Sequence, residues 1–142
     1  MKFIFFLSFI TLFCLPAEAN TLVSFKPAKD RKEIQIIDYL QSSTSDNSTY
    51  LIAGYDLNND IFKEYLVKNQ NCLVREYCSY KIIAFKNRKP IIIGEFDAHK
   101  ILISHEKNYG IHDLIIYNDE NSDFLSKTAV WNPYQFRYVI KN

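Results

Sequence analysis

Glycine and proline are scarce in this 142-residue chain, at 3 and 4 residues, and tryptophan and methionine occur once each. With 10 Tyr, 11 Phe and abundant β-branched residues beside them, that scarcity excludes a disordered linker and marks a chain able to bury a core. Charge of one sign is also missing. Lys and Arg total 17 against 16 Asp and Glu, a formal net charge of +1 with no basic block, which argues against nucleic acid as the main partner. There is no G-x-S-x-G elbow, no glycine-rich phosphate loop and no H-x-x-x-H spacing, so the common nucleophile, phosphate and zinc templates fail. No internal repeat is long enough for a solenoid or a complete propeller.

Long apolar runs are confined to the N-terminus. Lys2 is followed by an unbroken run from Phe3 to Leu15, then Pro16 and Ala17-Glu18-Ala19, the three parts of a cleavable secretory leader of bacterial type. The run is shorter than the roughly 20 residues a bilayer core needs, which disfavours a membrane anchor. Lipid attachment at Cys14 is a minor alternative, because bulky Phe13 precedes it. The expectation is therefore a leader over residues 1–19 and one soluble globular domain over 20–142, working in the periplasm or secreted, with no membrane span after cleavage. Loss of the leader leaves the net charge unchanged, since Lys2 and Glu18 cancel.

Export agrees with the cysteines. After cleavage only Cys72 and Cys78 remain, and an even pair in an exported domain most often forms a disulfide. Closing so short a loop would add on the order of 2 kcal/mol before strain. The pair lacks C-x-x-C spacing, and the loop between offers too few ligands for zinc.

Periodicity predicts a helix over 30–41, capped by Asp30 with Glu33 three residues on, and with Ile34, Ile37 and Leu40 on its buried face. The polar stretch 42–49 reads as a loop. Short strands follow over 50–55, 62–68, 80–86, 91–96, 100–104, 113–118, 125–131 and 135–140, separated by Asn-rich turns. In the last, Tyr134, Phe136, Tyr138 and Ile140 alternate with polar residues, so those four should face the core. Ile91-Ile92-Ile93 and Leu114-Ile115-Ile116 are apolar on both faces and should be central strands. The fold class expected is α+β, mainly β: a curved antiparallel meander sheet with one N-terminal helix packed on it.

The segment Asp56-Leu57-Asn58-Asn59-Asp60-Ile61-Phe62-Lys63-Glu64 carries the most chemistry. Its oxygen-bearing side chains Asp56, Asn58, Asp60 and Glu64 stand at positions 1, 3, 5 and 9 of a loop, and alternate side chains of a tight loop can converge on a hard cation such as calcium. With Tyr65-Leu66-Val67 after it, the segment resembles the loop of FG-GAP or integrin-type repeats and of small exported bacterial proteins that carry it. Cys72 with Cys78, the stretch from Gly110 to Ile116, and Trp131-Asn132-Pro133-Tyr134 extend the likeness. The resemblance implies a structural calcium loop and no enzymatic activity. Those loops have glycine at position 6, where this chain has Ile61, a β-branched residue that tolerates positive φ badly. Position 12 is Val67, which excludes an EF-hand. A turn held by Asx-type hydrogen bonds is thus the favoured reading and a calcium site the alternative.

His99, His105 and His112 lie at strand ends, where surface histidines are ordinary, and no spacing fixes a metal geometry. Carboxylates such as Asp119, Glu120 and Asp123 fall in turn-like segments. Trp131, Tyr134, Phe136 and Tyr138 read as sheet core before ligand platform. The functional expectation is a non-enzymatic exported binding protein with a protein or cell-envelope partner, an inhibitor of an exported enzyme or a companion to one, and with no cofactor unless calcium. The alternative is a small cell-wall or polysaccharide hydrolase using loop carboxylates.

Overall fold

The structure, a computed structural model, describes residues 19–44, 48–73, 76–119 and 125–141. The leader expected over residues 1–19 lies outside these apart from Ala19, as do Cys14, Glu120 and Asp123. In chain order the elements are β1 (Thr21–Leu22), β2 (Lys26–Pro27), α1 (Arg31–Thr44), β3 (Tyr50–Tyr55), β4 (Glu64–Asn69), β5 (Cys78–Lys86) and β6 (Lys89–Ala98). Then come β7 (Lys100–Asn108), β8 (Ile111–Tyr117), β9 (Ser126–Asn132) and β10 (Arg137–Ile140). The chain is mainly β, as the alternation of its residues requires.

The meander is divided between two antiparallel five-stranded sheets that do not close into a barrel. The front sheet runs β1-β7-β8-β9-β10 and the back sheet β2-β3-β4-β5-β6. The segment from β1 to β2 straps them together, pairing Thr21 with Ile103 in front and Lys26 with Ile52 behind. Between the sheets lies the main core, in which Leu66, Ile82 and Ile93 meet Ile101, Leu114 and Ile116. Alternation along β4 then sends Tyr65 and Val67 to the opposite face, where α1 covers them.

The helix starts where its capping box dictates. The Glu33 amide donates to Asp30 Oδ1 at 2.8 Å, and the Asp30 amide donates back to Glu33 Oε2 at 3.3 Å. Its buried face differs from the expected one: Ile36 and Leu40 are fully enclosed against Ile52, Tyr65, Val67 and Ile83, while Ile34 points to solvent and Ile37 only flanks. Enclosing those two side chains contributes about 3–6 kcal/mol. Residues 42–44, read as loop, continue the helix because the Ser42, Ser43 and Thr44 hydroxyls donate to the carbonyls of Tyr39 and Leu40.

Two strand expectations are corrected. Leu114-Ile115-Ile116 does sit in a strand flanked on both sides, by β7 and β9. Ile91-Ile92-Ile93 instead belongs to β6, the edge of the back sheet, with Ile92 exposed. Apolarity there comes from β10 packing across it. A Cβ on Gly94 would stand 3.3 Å from the Tyr138 Cβ, so the missing side chain admits that crossing. The second correction concerns the C-terminal strand, which begins only at Arg137. Tyr138 is buried, but Tyr134 is 93% exposed and Phe136 48% exposed, because Asn132 Oδ1 captures the Tyr134 and Gln135 amides and curls residues 133–136 into a turn.

Cys72 and Cys78 form a disulfide, with Cα atoms 5.8 Å apart, joining the end of β4 to the start of β5. No helix among the described residues is long and apolar enough to cross a membrane.

Candidate functional site

The loop from Asp56 to Glu64 joins β3 to β4 and is anchored through Leu57. That side chain is fully buried between the sheets, and its carbonyl accepts from the His112 amide of β8 at 2.8 Å. The polar side chains then close on the loop's own backbone. Asp56 accepts from the Asp60 and Ile61 amides at 3.1 and 2.9 Å, and Asn58 Oδ1 also accepts from the Asp60 amide at 3.1 Å. Asp60 Oδ1 accepts from the Phe62 amide at 2.8 Å, and Glu64 Oε2 from the Leu57 amide at 2.9 Å. The Asn58 amide group lies between the remaining carboxylate oxygens, donating to Asp60 Oδ2 at 2.9 Å and Glu64 Oε1 at 3.5 Å.

The structure therefore gathers all four sequence-derived residues, Asp56, Asn58, Asp60 and Glu64, in one Asx-type network. Each carboxylate oxygen in it accepts at least one loop donor. Among the described residues no group of three or more His, Cys, Asp and Glu side chains is arranged to hold a metal ion. Burial is the largest influence on Glu64 and, with the Asp60 and Asp56 charges, lifts its carboxyl above the usual range against the pull of the Leu57 amide. The sixth position of the loop takes the conformation for which glycine is the ordinary choice. Ile61 does adopt the left-handed conformation, at φ 69°, and Asn59 does so at 59°. Hydrogen bonds donated by two successive amides to the Asp56 carboxylate fix the turn, and the β-branched side chain is carried into it 86% exposed.

Beside this loop opens a cleft of about 570 Å³, lined from α1 and from strands of both sheets. Trp131 and Tyr138 line it from the front sheet, edge to face with ring centroids 5.7 Å apart. Phe136 packs on Trp131 at 5.1 Å, and Phe62 and Phe85 face it from the loop and β5. The Tyr138 hydroxyl donates to the His112 carbonyl at 2.8 Å. Burial first, then the Glu64 and Asp113 charges, hold that phenol far above its ordinary range, so it is a fixed neutral donor.

Cations stand around the opening. The Lys32 ammonium lies 5.6 Å from the Phe62 ring centre and 5.7 Å from that of Phe85, and Lys86 lies 4.9 Å over Phe136. Lys63 and Arg88 complete the rim. Arg88 occupies the second place of the two-residue turn between β5 and β6, where Asn87 and Arg88 have φ of 52° and 64°. That type I′ turn favours Asn-Gly, so arginine sits where glycine is most comfortable. Its carbonyl accepts from Gln35 Nε2 at 3.2 Å, which ties the turn to α1.

The histidines do not converge. His105 and His112 border a second, more polar cleft of about 480 Å³ on the other side of the loop, beside Asp56 and Asn59. His105 Nδ1 meets Asn20 Oδ1 at 3.1 Å and His112 Nδ1 meets the Ser104 carbonyl at 2.6 Å. His99 lies six residues back along the chain, about 20 Å at strand rise, against the Tyr77 ring. Sequence reasoning missed the cleft because its members come from α1, three turns and both sheets. The one sequence signal pointing to it is the absence of glycine from turns that need left-handed residues.

Taken together, fold and site define a two-sheet antiparallel domain with a helix on its back and an aromatic, cation-rimmed cleft. No family model matches the chain, and neither a curated protein nor a solved structure does.

Proposed function

We propose that this chain is an exported, non-enzymatic binding protein of the periplasm or medium that holds a protein partner in the aromatic cleft, blocking an exported enzyme or assembling with it. The observation that carries this reading is the pairing of Phe62, 61% exposed, and half-exposed Phe136 across a recess floored by buried Trp131. Exposed aromatics around an apolar recess are costly in water and favour association. The test is capture from cell-envelope extract by wild type and by a Phe62→Ala, Phe136→Ala double variant. A partner retained by the first and lost by the second, with both proteins folded, is the expected result; equal capture refutes the cleft as the binding surface.

A polysaccharide or cell-wall hydrolase is the second reading, favoured by Asp60 and Glu64 sharing the cleft and by the raised carboxyl of Glu64, a property of general acids. Against it, both oxygens of each carboxylate are already engaged by loop donors. Turnover of peptidoglycan or polysaccharide that disappears in Glu64→Gln would reverse the choice.

A further inference from the structure

The charge facing the cleft is unbalanced in one direction. Among the described residues, Lys32, Lys63 and Arg88 have no carboxylate partner, and Lys32 rests only over aromatic faces. Asp60 and Glu64 are the acidic residues lining the same cleft, and their oxygens accept from the Phe62 and Leu57 amides and from Asn58. The lining carries three cations against two carboxylates, a net positive charge around apolar walls, and the carboxylates are the charges already held in place by loop donors. Two sheet edges meet here as well. β6 and β10 are the terminal strands of their sheets, and Ile93 of β6 and Tyr138 of β10 both line the cleft. Terminal strands present unpaired backbone groups, which an extended chain can use.

We propose that the cleft docks a short acidic segment of a protein partner, in which one aromatic or long aliphatic side chain enters between Phe62, Phe85 and Phe136 while flanking carboxylates meet Lys32, Lys63 and Arg88. The inference rests on the binding-protein reading and adds the chemistry of what is bound. A recess of about 570 Å³ suits one large side chain and its neighbours. An anionic membrane surface is disfavoured, because the rim surrounds a recess and includes the Asp60 carboxylate. A regularly charged polysaccharide is disfavoured too. Trp131 is buried and packed edge to face with Phe136 and Tyr138, at 76° and 78°, so the indole is not presented as an open platform for sugar stacking.

Trp131, the single tryptophan of the chain, lines the cleft and reports on its occupancy by fluorescence. The oxidised protein is titrated with a blocked pentapeptide carrying a central phenylalanine between pairs of aspartates, and with versions having lysine for aspartate or alanine for phenylalanine. Phosphatidylglycerol vesicles and polygalacturonate are titrated in parallel. The expected result is saturable binding of the acidic phenylalanine peptide, at least about tenfold tighter than either altered peptide and weakened by salt. Lys32→Glu and Arg88→Glu should each weaken it at least about tenfold with the melting temperature retained; Lys32→Gln and Arg88→Gln replace them if charge reversal unfolds the protein. No saturable change up to millimolar peptide, equal affinity for the lysine peptide, or preference for vesicles or polygalacturonate would overturn the proposal. If the peptides fail while envelope capture still depends on Phe62 and Phe136, the acidic segment is wrong and the binding reading stands. If that capture is also insensitive to Phe62 and Phe136, both fall.

Discussion

Replacing Ile61 by glycine should stabilise the fold. An L-residue in the left-handed region places its Cβ against the following carbonyl, at a cost of about 1–2 kcal/mol, and β-branching brings Ile61 to the upper part of that range. Glycine removes the clash but has more backbone freedom to lose on folding, about 0.5–1 kcal/mol. The apolar contact forfeited is small, since Ile61 is 86% exposed; the buried remainder of an isoleucine contributes only about 0.2–0.4 kcal/mol. The balance is about 0.5–1 kcal/mol in favour of Ile61→Gly, or a rise of about 2–4 °C in melting temperature for a domain of this size.

Thermal melts followed by far-UV circular dichroism, with urea titrations beside them, measure the change, and an unaltered urea slope confirms that folded and unfolded states keep their compactness. Ile61→Asn should give part of the gain, because asparagine tolerates left-handed φ, and Ile61→Val should give none, because branching persists. A fall in stability for Ile61→Gly would show that the exposed side chain packs against something in the free protein, and the strain argument would be refuted.

Glu33→Ala should cost about 1–3 kcal/mol, because it leaves the Lys29 and Asp30 amides and the Lys26 ammonium without their buried carboxylate. Burial pushes Glu33 up, yet the Lys29, Lys26 and Asp30 hydrogen bonds outweigh it and hold the carboxyl below its ordinary 4.5, so its contribution is present above that pH and fades as pH falls through the folded value. The difference between wild type and Glu33→Ala in urea midpoint should accordingly shrink in acid; a constant difference would contradict the assignment. Glu64 has the opposite sign. Its carboxyl is raised in the folded state, so wild type gains stability as pH falls from neutral through the folded value, and Glu64→Gln, which keeps an acceptor for the Leu57 amide, should melt no lower than wild type at pH 7. A Glu64→Gln melt well below wild type at neutral pH would show that the ionised carboxylate stabilises the loop. Asp56→Ala should cost about 0.5–1.5 kcal/mol by removing the acceptor of the Ile61 amide and one of the two acceptors of the Asp60 amide, equally with and without millimolar calcium, and calcium should leave the wild-type melt unmoved. A calcium-dependent rise lost in Asp60→Ala would establish the ion site instead.

Local chemistry was legible where one residue's side chain decides its own backbone. Asp30 and Glu33 announce the helix start through a reciprocal cap, and Asp56, Asn58 and Asp60 announce a turn through Asx geometry. What failed was inference from apolarity to position. Ile91-Ile92-Ile93 reads like a central strand because it is covered, but the cover is β10 crossing at Gly94 and not a flanking strand. Tyr134 and Phe136 fit an alternating strand in every respect except that Asn132, two and three residues before the amides it captures, makes the turn first. The helix face was displaced for a similar reason: Ile34 and Ile36 are equally apolar, and only the back sheet decides which one is enclosed.

The cleft was hidden for a deeper reason, and that reason bears on what the cleft is for. Gly110 is the described glycine with positive φ, at 79°, and nothing crowds it. The three turns bordering the cleft instead carry Ile61 at 69°, Arg88 at 64° and Phe136 at 52°. Backbone energy alone favours glycine or asparagine at each, so the large side chains persist against a local cost of about 1 kcal/mol or more apiece. Burial in the free protein does not repay Ile61, which is the most exposed of the three elements' apolar residues apart from Tyr134. Tyr109, at 53°, bears the same strain away from the cleft, so strain alone marks no site; on the binding reading proposed above, contact with a partner would offset it at the turns that border the recess. The Ile61→Gly protein should therefore be more stable than wild type; if the proposed binding surface extends over this exposed turn, the same protein should also be weaker in capturing its partner, an opposition that a purely structural turn would not produce.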